Sequence, residues 1–106
     1  MSAFDEREQA FEKKFAHDAE MQFKAAARGN KLLGLWLAGE LGIEDAETYA
    51  KTVVVADLAE EGHEDVIRKV MTDISDKGAS VTEAQVRAKL AECMIEAKAQ
   101  VLSEVS

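Results

Sequence analysis

The stretch NKLLGLWLAGELG, residues 30–42, decides the fold. Its large apolar residues recur at spacings of three and four, which places them on one broad face of an α-helix. They are Leu32, Leu33, Trp36, Leu37 and Leu41. Gly42 follows at the position where a left-handed cap would end that helix. The stretch therefore predicts a helix whose apolar face lies in a helical core.

The same spacing recurs further along the chain. It predicts three more helices, over residues 45–61, over residues 64–76, and from residue 82 towards residue 104. Gly62 and Gly78 stand where caps would end the first two of them. Thr82 with Gln85 has the pattern of a capping box, and Val81 with Val86 that of its hydrophobic staple.

The fold class follows from these patterns and from the composition. The chain contains no proline, and no stretch alternates apolar and polar residues long enough to require a sheet. Short loops between consecutive helices favour antiparallel packing. We predict an all-α protein with a four-helix bundle over residues 19–106 and a weakly structured or helical N-terminal arm over residues 1–18.

Charge narrows the classes of partner. The net charge is −8, and residues 40–76 hold eleven acidic against three basic residues. A nucleic-acid interface needs clustered Lys and Arg, and an anionic membrane surface attracts the same cations. We interpret the acidic stretch as a solvated face. No apolar run approaches the ~18–20 residues that span a bilayer. We therefore predict a cytoplasmic protein with no nucleic-acid partner and no direct membrane insertion.

Catalytic motifs are missing from the sequence. His17 and His63 have no partner histidine or cysteine at metal-ligand spacing. Cys93 falls on the apolar stripe of the last predicted helix, which indicates a buried, inert thiol. The stretch RGNKLLG lacks the spacing of a phosphate-binding loop. We predict a protein that is not an enzyme and has no metal and no cofactor.

The aromatic residues are distributed unevenly. All four phenylalanines lie within the first 23 residues, and the bundle adds Trp36 and Tyr49. Aromatic side chains on a marginal helix favour a segment that docks into a groove of a partner. The alternative is an arm that folds back and completes the protein's own core. Composition leaves the two alternatives open.

Gly29 lies inside the first helical pattern and is followed by Asn30. A glycine in a helix interior costs about 0.5–1 kcal/mol relative to alanine. The pair predicts a hinge where the first helix bends, or a place where a small residue allows close packing. Both explanations stay open at this point.

The stretch FDEREQAFEKKFAHDAEMQFKAAARGNKLLGLW, residues 4–36, resembles the zeta subunit family of alphaproteobacterial F-type ATP synthases. The resemblance lies in F-D-x-R-E-x-A-F-E-x-K-F-A-H-D at residues 4–18, E-x-x-F-K at residues 20–24 and N-K-L-L-G-x-W at residues 30–36. It continues more loosely through YAKTVVVAD and the last helix. Gly29 departs from the family, in which arginine is more usual at that position.

This resemblance implies a four-helix bundle and a function. In zeta subunits the N-terminal segment enters an α/β catalytic interface of the enzyme head near the γ rotor, where it orders as a helix and blocks ATP hydrolysis. The implied partners are the α, β and γ subunits of the head, and the implied location is peripheral to the membrane-bound synthase. Weak binding of ATP or ADP is implied as well, with no residues assigned to it.

The resemblance also indicates which residues of this chain contact the partner. The phenylalanines would fill apolar pockets, and the arm's cations would pair with acidic groups of the head. The predicted contact residues are Phe4, Asp5, Arg7, Glu8, Phe11, Lys14, Phe15, His17 and Asp18. The alternative function is a nucleotide-responsive or adaptor helical bundle with another protein partner, in which the arm would pack on the bundle.

Overall fold

The computed structural model describes residues 18–57 and 63–105, which form four α-helices and no strand. The helices are α1 (Ala19–Leu41), α2 (Ala46–Asp57), α3 (Glu64–Asp76) and α4 (Glu83–Val105). The predicted all-α fold is confirmed.

Helix α1 packs along both α2 and α4. Gly34 lets the backbones of α1 and α2 approach, because a Cβ atom built at Gly34 would lie 2.6 Å from the Cα of Ala50. Trp36 of α1 lies beneath Lys89 of α4, with the Lys89 Nζ 5.7 Å from the ring centroid. Nearer the other end of α1, Ala25 packs with Val101. The last two contacts show that α1 and α4 are antiparallel.

One main core joins the four helices. It is built from the apolar stripes that the spacing predicts, and its members are Leu33, Leu37, Val53, Val66, Ile67, Val70, Ile74, Val86, Leu90 and Cys93. Leu32, Trp36 and Leu41 pack against it while only partly buried. Cys93 is a free, buried thiol, as predicted, and burial raises its pKa.

Helix ends follow the predicted cap residues where the structure describes them. Gly42 has a φ of 69°, and the N–H of Ile43 behind it donates to the Ala38 carbonyl at 2.9 Å. Gly78 has a φ of 66° behind α3. The capping box at α4 is reciprocal: the Thr82 N–H donates to Gln85 Oε1 at 2.8 Å, and the Gln85 N–H donates to Thr82 Oγ1 at 3.2 Å. Residues 58–62, which include the predicted cap Gly62, lie outside the described ranges.

Polar contacts link α3 to α2. The Tyr49 hydroxyl donates to Asp73 Oδ2 at 2.7 Å, and Lys69 Nζ donates to the same oxygen at 2.7 Å. Lys69 also lies 5.1 Å from the Tyr49 ring centroid. Burial, followed by the bond to Asp73, raises the pKa of the Tyr49 phenol. A phenol that stays neutral therefore fastens these two helices together.

Candidate functional site

The predicted contact residues divide at Asp18. Residues 1–17 lie outside the described part of the chain, so eight of the predicted contacts stay a prediction: Phe4, Asp5, Arg7, Glu8, Phe11, Lys14, Phe15 and His17. Asp18 is described, together with the first turns of α1 that follow it. The described part of the candidate site therefore begins at Asp18, where the arm meets the bundle.

Asp18 is the N-cap of α1. Its backbone is extended, with φ −105° and ψ 100°, and its carboxylate accepts a hydrogen bond from the Met21 N–H at 3.1 Å. The cap satisfies one of the amide groups that a helix start leaves without a partner, and its negative charge suits the positive end of the helix dipole. Within this chain, Asp18 thus fixes the residue at which α1 begins. An aspartate ahead of a helical pattern is the sequence signal for such a cap, and contact of Asp18 with the partner stays a prediction.

The first turns of α1 rest on the end of α4 through a small apolar contact. Met21, Ala25 and Val101 are buried together, and Leu102 packs against them. This satellite cluster is separate from the main core. An ion pair between Arg28 of α1 and Glu104 of α4 lies in the same region. The arm therefore joins the bundle where a pair of helices is held by few buried side chains.

Phe23 belongs to neither cluster. Its side chain is 61% exposed, although it is the largest apolar residue in the first turns of α1. Met21 and Ala25, two residues before and after it, are each 6% exposed. The burial of these turns is therefore set by smaller residues on the opposite side of the helix, and Phe23 points away from α4.

The predicted hinge residues, Gly29 and Asn30, lie in the interior of α1 and are both buried. A Cβ atom at Gly29 would lie 2.9 Å from the Cε of Met94 and closer still to its Sδ, which supports the explanation by close packing. Asn30 is fully buried, and neither its Nδ2 nor its Oδ1 has a hydrogen-bond partner among the described residues. Bending of α1 at this pair stays a prediction.

The bundle surface has an open groove of about 470 Å³ between α3 and α4. Arg87 lines it and binds Glu64 through two hydrogen bonds of 3.0 and 3.1 Å, which lower the pKa of that carboxyl. Arg87 also pairs with Glu83 at 3.2 Å, and Arg68 pairs with Asp65 at 3.2 Å. Both arginines of the groove are therefore already paired with carboxylates.

The described residues contain neither a candidate metal-binding cluster nor a helix that could span a membrane. Within residues 18–57 and 63–105, no three His, Cys, Asp or Glu side chains come together in a way that could hold a metal ion. No helix in those ranges is both long and apolar enough to cross a bilayer.

Comparison with known proteins identifies the family. No curated protein matches the sequence significantly. The family model described as ATPase inhibitor subunit zeta matches residues 1–100, which covers the arm as well as nearly all of the bundle. Its members are regulatory subunits, so the prediction of a protein that is not an enzyme is confirmed by the family. With the four helices of its described residues and this match over residues 1–100, the chain belongs to the ATPase inhibitor subunit zeta family.

Proposed function

We propose that residues 1–18 insert at an α/β catalytic interface of the ATP synthase head, near the γ rotor, and so block ATP hydrolysis. The observation that carries this proposal is the extent of the family match, which begins at residue 1 and therefore includes the arm. The inhibitory role follows from the family, and the mechanism of insertion is the part that we propose.

The described structure supports separate roles for the arm, which would bind the partner, and for the bundle, which would carry the arm. Asp18 caps α1, and every described member of the main core lies at residue 33 or later. The described part of the main core is therefore built from residues of the bundle. Removing residues 1–18 takes away the Asp18 cap, which costs about 0.5–2 kcal/mol, and we expect the four helices to stay folded on this core.

The chemistry of the arm suits a groove between subunits. Phe4, Phe11 and Phe15 are spaced as anchors of an amphipathic helix, and Arg7 and Lys14 can pair with carboxylates of the head. A segment that orders on binding loses conformational entropy at that moment, which lowers its affinity for a given contact area. Inhibition by such an arm would be reversible.

The test is ATP hydrolysis by the isolated catalytic head from the same organism, titrated with the full chain and with a version that starts at Ala19. We expect the full chain to inhibit and the shortened chain to have no effect, with the helices retained by circular dichroism apart from fraying of the first turn of α1, which has lost its cap. Phe11→Ala should weaken inhibition by about tenfold or more, as expected for a buried aromatic anchor. Val55→Ala is the matched control, because Val55 is 63% exposed on α2 and lies far from the arm in sequence.

Equal inhibition by the two lengths of chain would refute insertion of the arm. Failure of both to inhibit during turnover would favour the alternative, an adaptor bundle with another protein partner. In that case the arm should instead stabilise the bundle, and removing residues 1–18 should lower its melting temperature by more than the loss of the cap in Asp18→Ala does.

A further inference from the structure

The first turns of α1 carry an apolar surface that faces away from the rest of the bundle. Phe23 is at its centre, and its helical neighbours at i−4, i+3 and i+4 are Ala19, Ala26 and Ala27. Ala19 is exposed, and the other two alanines are half-buried. We call these four residues the Phe23 face. The fourth neighbour, Glu20 at i−3, is exposed and charged, so the apolar part of this surface is the ring of Phe23 with the three alanine methyl groups.

The fold does not require a phenylalanine at this position. Helix α1 already packs on α4 through Met21 and Ala25, on the opposite side of the helix. A single exposed apolar residue is ordinary on a protein surface. A projecting aromatic ring framed by small residues on a helix, however, has the form of an anchor that fills a pocket in a partner.

The position of Phe23 indicates which partner it meets. It lies five residues beyond Asp18, which is about 7.5 Å along a helix. A surface that holds the arm up to residue 18 therefore extends naturally to Phe23. Val55 and Ile95 are the other strongly exposed large apolar residues in the described ranges, and they lie on α2 and α4, away from the residues that follow the arm.

We propose that the Phe23 face is a second contact with the catalytic head, in which the ring of Phe23 fills an apolar pocket next to the groove that receives the arm. This inference rests on the proposed function. It extends the contact surface from the arm into the folded bundle. The bundle would then help to hold the inhibitor in place in addition to carrying the arm.

The test compares full-length variants for inhibition of ATP hydrolysis and for affinity to the head during turnover. Phe23→Ala should weaken both by about tenfold or more. Phe23→Leu should recover part of the loss, because leucine keeps an apolar side chain for the pocket. Ile95→Ala is the matched control, since Ile95 is 73% exposed on the paired helix α4. Alanine favours helix at an exposed position, so circular dichroism should show no loss of helix in Phe23→Ala.

The outcomes separate this inference from the proposed function. If Phe15→Ala weakens inhibition while Phe23→Ala equals the wild type, the second contact is refuted and the arm mechanism stands. If the wild type does not inhibit, both are refuted. If sedimentation shows a wild-type dimer that Phe23→Ala dissociates without loss of inhibition, a second copy covers this face and the inference is wrong.

Discussion

Replacing Gly34 by alanine tests the close approach of α1 and α2. The added Cβ atom would lie 2.6 Å from the Cα of Ala50, 3.0 Å from its Cβ and 3.3 Å from the Cγ2 of Val53. The nearest of these is a backbone atom, so a change of rotamer cannot relieve the contact. The two helices must instead move apart by roughly 1 Å to restore an ordinary carbon–carbon distance of about 3.5–4.0 Å.

The expected cost combines two opposing effects. Overpacking a well-packed core costs about 1–3 kcal/mol, whereas replacing glycine by alanine inside a helix contributes about 0.5–1 kcal/mol of stability. We expect Gly34→Ala to lower the free energy of unfolding by about 1–2 kcal/mol in total. In a domain of this size that corresponds to a fall of roughly 4–15 °C in Tm.

The matched control is Gly39→Ala in the same helix. A Cβ atom at Gly39 would meet nothing within 4 Å, so only the helix-propensity gain remains, about 0.5–1 kcal/mol. Urea and thermal unfolding followed by circular dichroism at 222 nm should rank Gly39→Ala above the wild type and Gly34→Ala below it. Equal stability of the two variants would show that α1 and α2 do not come as close as described. Folded Gly34→Ala should still inhibit, because the arm is untouched.

Two further substitutions probe buried polar groups, both by urea unfolding. Asn30→Leu should raise the free energy of unfolding by about 1–3 kcal/mol, because it removes two buried polar atoms without partners among the described residues; a clear loss of stability would mean that the amide is hydrogen-bonded in solution. Tyr49→Phe should cost about 1 kcal/mol at neutral pH through the lost bond to Asp73. The raised pKa of Tyr49 makes its contribution complete below its ordinary pKa of 10.0 and smaller at higher pH, where the unfolded chain ionises first. The difference between wild type and Tyr49→Phe should therefore shrink between pH 9 and 11, and a constant difference would contradict this assignment.

Helical periodicity predicted the fold well because the main core is made by large apolar side chains at regular spacing. Leu33 and Leu37 are fully buried, as their spacing in the opening stretch required. The capping box of Thr82 and Gln85 was equally predictable, because it depends on residues only three positions apart. Local patterns of this kind are read directly from the chain.

Close packing between helices could not be read in the same way. Periodicity indicates which face of α1 is buried, but the approach at Gly34 also depends on Ala50, which is distant in sequence. Among the residues of the candidate site, Phe23 is the clearest example of an environment that periodicity does not predict. Its size suggests burial, yet the end of α4 takes up Met21 and Ala25 instead. The predicted contacts of the arm depend on a partner whose sequence is not in this chain. The prediction of these contacts therefore rests on the family resemblance alone.

The satellite cluster implies that α1 yields to force unequally along its length. Among the described residues, the satellite cluster of three buried side chains holds its first turns, whereas the main core holds the second half of the helix. Local opening costs least where few apolar contacts must break. If the arm inserts into the catalytic head as proposed, a force on the arm would reach this end of α1 first, and it would open before the rest of the helix. The satellite cluster would then be a site of reversible local unfolding under force, which opens while the main core stays folded and refolds when the force is removed.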